Sequence, residues 1–137
     1  MEMNSRETPR QRAHHVSDPL ITIDCLAELA TLRGGEAYTT ADHAAHTIAK
    51  QPGIRVVLIA LKPGGRMNEH HADGPITLHG LLGDVNLTVG DQTVRVTPGV
   101  LVTVAQGIPH RLEAIDESAF LLTIGGVTAH TDAASRH

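Results

Sequence analysis

Aromatic side chains are almost missing from this chain: its 137 residues include one Tyr, Tyr38, one Phe, Phe120, and no Trp. A platform on which bases or sugar rings stack needs several aromatic faces, so that mode of binding is excluded and the interior must be aliphatic. Cysteine is as scarce. The single Cys25 permits no intrachain disulfide, and its place in an apolar helical pattern reads as a buried, inert thiol, which fits a reducing cytoplasm. Positive charge is not in excess either. Against 15 Asp and Glu stand 11 Lys and Arg, for a net charge of −4, and Arg6, Arg10 and Arg12 are scattered. Nucleic acid is therefore not an expected partner. Long apolar runs are also lacking. The longest, Val56 to Leu61, falls far short of the ~20 residues of a membrane-spanning helix, and the N-terminus has no signal-peptide core, so neither membrane nor export is expected.

What is present is punctuation. Residues 1–19 are polar and aperiodic and read as a mobile N-terminal arm, residues 20–126 as a single domain, and residues 127–137 as a flexible tail. Asp24 is placed to cap a short helix whose apolar stripe is Cys25, Leu26, Leu29, Ala30 and Leu32, with Gly34 to end it. From Thr39 onward the pattern shifts to short β-rich runs, near 45–50, 54–61, 68–72, 76–82, 85–89, 93–96, 100–104, 109–114 and 119–124. Between them lie Gln51-Pro52-Gly53, Lys62-Pro63-Gly64-Gly65, Pro98-Gly99 and Gln106-Gly107, and Gly90-Asp91 as a two-residue hairpin turn. Many short strands with turns this frequent predict a β-sandwich or barrel.

Two segments carry more. Gly99-Val-Leu-Val-Thr-Val-Ala-Gln-Gly107-Ile-Pro-His110 runs strand, glycine corner, strand. It resembles the second signature of the cupin family, with Gly99, Gly107 and His110 in register, Ala105 for the usual Pro and Ala114 for the usual Asn. The first cupin signature is met by Gly64, His70 and Gly83, whereas Ala72 stands for its second His and Ile76 for its Glu. The similarity covers about residues 54–125 and extends to the tail Asp116-Glu117-Ser118-Ala119-Phe120-Leu121-Leu122-Thr123, as in small single-domain cupins. It implies an all-β fold, a cupin double-stranded β-helix (jelly-roll barrel) with a short N-terminal helix, and a homodimer. The exposed early strand near 45–50 is a second reason to expect pairing of copies.

In a cupin, alternate residues on neighbouring strands point into the barrel. The parity set by His70 puts Asn68 and Ala72 inside, and the next strand adds Ile76 and Leu78, so the expected ligand pocket is Asn68, His70, Ala72, Ile76, Leu78 and His110. His70 and His110 retain the first and last of the family's metal ligands, for a divalent transition ion such as nickel, zinc or iron. Two imidazoles hold an ion poorly, and a third ligand would come from His71, Asp73 or His79, through a bend at Asp73-Gly74-Pro75. Without it, the two histidines are polar groups in an apolar barrel, sharing a water or small ligand. His14, His15, His130 and His137 fall in the arms and are solvated, while His43 and His46 take opposite strand faces and share no ligand geometry. The reading that follows is a small-molecule-binding cupin. A metal-dependent cupin oxygenase or isomerase and a metabolite- or metal-sensing module are the alternatives, so whether the chain is an enzyme stays open.

Overall fold

A computed structural model describes residues 18–127. The expected mobile arm and tail lie outside the described residues except for Asp18, Pro19 and Val127, and so do His14, His15, His130 and His137. Among the described residues two helices come first, α1 (Cys25–Gly34) and the single turn α2 (Glu36–Thr39). Nine strands follow: β1 (His43–Gln51), β2 (Gly53–Leu61), β3 (Arg66–His70), β4 (Ile76–Leu82), β5 (Val85–Val89), β6 (Gln92–Val96), β7 (Leu101–Val104), β8 (His110–Ala114) and β9 (Ser118–Val127). They form a five-stranded sheet, β1-β2-β9-β4-β7, and a four-stranded sheet, β3-β8-β5-β6, every pair antiparallel. This is the expected two-sheet, mostly β fold with a short N-terminal helix.

Alternation along β2 explains how one sheet serves two cores. Val57, Ile59 and Leu61 face the interior between the sheets, where they join Leu78, Val85, Leu87, Phe120 and Ile124. Leu58 and Ala60 face the other way and pack under the helices with Leu29, Tyr38, Ala44 and Ile48. The helical layer is fastened at both ends. Asp24 accepts a hydrogen bond from the Ala27 amide at 3.1 Å, the predicted cap, and the Tyr38 hydroxyl donates to Glu117 Oε2 at 3.3 Å.

The stripe expected on α1 is corrected in part. Leu26 is 71 % exposed and Ala30 is exposed as well, whereas Glu28 is buried. At about 100° per residue, positions 25, 28, 29 and 32 share an arc of roughly 100°, and 26 and 30 rotate beyond it. The carboxylate therefore rides on the buried face.

The turns hold as expected. Gly90-Asp91 joins Val89 to its register partner Gln92. At Gly83 the chain takes φ +78°, and a Cβ there would come within 2.2 Å of the Glu117 carbonyl oxygen, so only glycine lets the β4–β5 turn lie against β9. The third strand, however, spans Arg66–His70 rather than 68–72, which leaves Ala72 beyond its end.

Candidate site at the barrel mouth

His110 opens β8 directly after the Gln106-Gly107 corner, where Gly107 has φ +78° and its amide donates to the Ala72 carbonyl at 3.2 Å. The corner thus ties the second signature to the first. His110 is 2 % exposed, and its Nδ1 lies 3.2 Å from the Ile108 carbonyl oxygen. A carbonyl oxygen only accepts, so Nδ1 is the donor in that hydrogen bond.

The backbone register pairs His70 with His110 although 40 positions separate them. Of His70 the side chain is not described, so its expected role as a ligand lies outside the described residues. Ala72, Ile76 and Leu78 are buried in the interior cluster, as expected of the pocket. Asn68 is not among them. The register shifts between Met67, opposite Leu112, and His70, opposite His110, so β3 carries one residue more than β8 across this stretch. A bulge breaks the two-residue period that placed Asn68 inward; Met67 packs against the interior instead and Asn68 is exposed.

The third-ligand candidates His71, Asp73 and His79 are all exposed. The bend at Asp73-Gly74-Pro75 exists, but it is fixed against β9: Gly125 donates its amide to the Pro75 carbonyl at 2.9 Å, and a Cβ on Gly74 would sit 1.8 Å from the Gly125 oxygen. Among the described residues no three His, Cys, Asp or Glu side chains are grouped to hold a metal ion. With aliphatic Ala72 and Ile76 at the other two ligand positions, the donor set does not fit the family's four-ligand centre.

What the mouth does offer is space. A cavity of about 340 Å³ opens between the β5–β6 hairpin, at Leu87, Val89, Gln92 and Val94, and β7 with its following turn, at Val102 to Ala105 and Ile108. None of the six expected pocket residues lines it, yet three adjoin it, Leu78 among them as the register partner of Val102. Ile76 is the register partner of Val104, and Thr88 pairs with Arg111, which sets Val89 beside His110. The alternation in Val-Asn-Leu-Thr-Val and Leu-Val-Thr-Val was the available sequence signal for these walls. Every lining residue is uncharged, so the cavity suits an apolar body.

Charge is kept outside. Arg95 donates from its guanidinium to both carboxylate oxygens of Asp84, at 2.8 Å from Nε, and this holds the Asp84 carboxyl below its ordinary 3.8. Asp42 is lowered likewise, first by its contact with His43 Nδ1 at 2.7 Å and then by the Arg66 amide. No helix of the described residues is long and apolar enough to cross a membrane.

A family model described as Cupin domain matches residues 57–125. The comparison with curated proteins gives no match. Among solved structures, a cupin-2 domain containing protein from Shewanella frigidimarina has a TM-score of 0.62 at 15 % identity, over 76 % of this chain and 94 % of its own. A conserved protein of unknown function from Streptococcus pyogenes has a TM-score of 0.58 at 24 % identity, over 64 % of this chain and 76 % of its own. A salicylate 1,2-dioxygenase variant from Pseudoaminobacter salicylatoxidans reaches 0.74 at 15 % identity, over 90 % of this chain and 40 % of that one. At such identities the likeness is one of fold. The family match over half the chain, with Gly64, Gly83, Gly99 and Gly107 all at the positive φ their turns require, means that this chain belongs to the cupin family.

Proposed function

We propose that the protein binds a small, mostly apolar molecule in the barrel mouth, with Gln92 and Thr103 supplying its polar contacts. The observation that carries this is the uncharged cavity of about 340 Å³, whose apolar walls carry polar groups only at Gln92 and Thr103. A ring-sized alcohol or phenol matches that pairing of apolar wall and few uncharged polar groups. Titration of the full-length protein with cyclohexanol and with phenol, followed by amide NMR shifts, tests it. Saturable shifts confined to residues 87–94 and 102–110, abolished by Val104→Phe, are expected; shifts elsewhere only, or none, would sink the reading.

A second reading, a metal-dependent cupin oxygenase or isomerase, draws on one observation, the register pairing of His70 with His110. Addition of Ni²⁺, Zn²⁺ or Fe²⁺ to metal-free protein should then raise its melting temperature, because ligand bound to the native state alone stabilises it. An unchanged melting temperature counts against that reading and leaves the apolar-ligand reading standing.

A further inference from the structure

Outside the barrel, where α1 and α2 lie over β1, a second cavity of about 210 Å³ is bordered by Glu28, Thr31, Leu32, Glu36, Ala37 and His46. We propose that it is a binding site for a small organic cation, a primary ammonium or guanidinium group on a short apolar stem.

Glu28 carries the argument. Its side chain is 6 % exposed, and its Oε1 is fully buried without a hydrogen-bond partner. A buried carboxylate oxygen left unpaired is costly, and the group that relieves the cost is a donor bearing positive charge. Among the described residues no Lys or Arg lines the cavity, and Arg33, on the same helix, directs its Nε to Glu117 at 3.5 Å.

Beside the His46 imidazole, two further polar walls are acceptors. Glu36 adds a second carboxylate at the rim. The Thr31 hydroxyl already donates to the Ala27 carbonyl at 3.2 Å, so its oxygen faces a ligand only as an acceptor. Thr31 and Leu32 stand in the last turn of the ten-residue α1, whose terminal carbonyls add negative partial charge. Leu32 and Ala37 give an apolar stem something to lie on. At about 30 Å³ of liquid per water, the cavity holds about seven waters or an organic ion of that bulk. A metal ion is the poorer occupant, since no three His, Cys, Asp or Glu side chains are grouped to ligate one among the described residues.

The site also falls outside the segment matched by the family model, which begins at residue 57. It belongs to this chain's own helical layer.

Full-length protein titrated with n-propylammonium chloride and with methylguanidinium chloride at constant ionic strength tests the proposal, with 1-propanol and methylurea as neutral controls. Amide shifts at residues 28–37 and 46 should saturate with the two cations and stay flat with the controls. Glu28→Gln should weaken cation binding on the order of tenfold or more, because a desolvated charge pair loses one partner. Ala37→Leu should abolish binding by filling the cavity while Glu28 stays in place, and it decides the matter if the first variant does not fold. Equal response to the neutral controls, unchanged affinity in either folded variant, shifts confined to residues 87–108, or no saturation at all would overturn it.

Discussion

The two faces of the five-stranded sheet make a controlled comparison, because the same strands build both. Toward the barrel, β2 presents Val57, Ile59 and Leu61 to a cluster that is entirely apolar, and the cavity there has uncharged walls. Toward the helices it presents Leu58 and Ala60 to a layer that also buries Glu28 and the ring of Tyr38, and the cavity there is edged by two carboxylates and an imidazole. The interior is the part described by the family signatures, whereas the outer layer is supplied by residues that precede them. The interior cavity thus lies within the segment matched by the family, and the outer one outside it.

The sharpest way to break the comparison is to empty each core in turn. Phe120 is wholly buried between the sheets and is the largest side chain there, so Phe120→Ala should cost about 3–5 kcal/mol of unfolding free energy. Leu29→Ala removes a smaller group from a layer that can settle onto the sheet, and about 2 kcal/mol is expected, the low end for such truncations. Urea unfolding of both variants measures the two losses. Hydrogen exchange adds a second readout, with amides of α1 in the Leu29 variant opening before those of β2 and β9. Equal losses with uniform exchange would mean that the two layers form one cooperative unit and that the division drawn between them is false.

A smaller effect sharpens the boundary from the turn side. Gly83→Ala forces a left-handed φ on a residue with a Cβ and drives that Cβ at the Glu117 carbonyl, next to the residue that also holds Tyr38 through its side chain. A loss of more than about 1 kcal/mol is expected, since the replacement cannot adopt the native backbone without strain. Because Glu117 reaches both layers, the melting of α1 and of the barrel should fall together here, in contrast to Leu29→Ala. Circular dichroism at two wavelengths would reveal any separation.

How much of this was legible in the sequence follows the same division. Strand positions and turns could be read closely, because period-two alternation and glycine corners are local signals; β4 and β5 fall at 76–82 and 85–89 as expected. Burial of Ala72, Ile76, Leu78 and His110 could also be read, from strand parity and family spacing. Asn68 could not, because one extra residue in β3 reverses parity and nothing in Arg-Met-Asn-Glu-His announces it. The cavity walls at Val89, Val94 and Val102 were visible as strands but not as a cavity, since a void is set by what fails to meet across two sheets. Glu28 was hidden for another reason. A buried face marked by apolar residues alone omits a carboxylate that falls within the same arc.

The smallest predicted effect uses two carboxylates held by hydrogen bonds, the buried Asp84 and the exposed Asp42. Asp84 and Asp42 titrate below the ordinary carboxylate value in the folded chain, Asp84 through its Arg95 hydrogen bonds and Asp42 through His43 and the Arg66 amide. In the unfolded chain both revert to about 3.8. Between the folded and unfolded values the unfolded state binds more protons, so stability is fully present above the unfolded value and drains away as pH falls through the folded one. The melting temperature should hold steady at neutral pH and decline in acid. Arg95 is largely exposed, which screens its pair with Asp84 and keeps the effect modest. Asp84→Asn cannot titrate, so its melting temperature should fall less between pH 5 and pH 3 than that of the parent, about one proton's worth of slope being gone. Parallel curves for the two proteins would show that the Arg95 pair contributes nothing to the pH dependence.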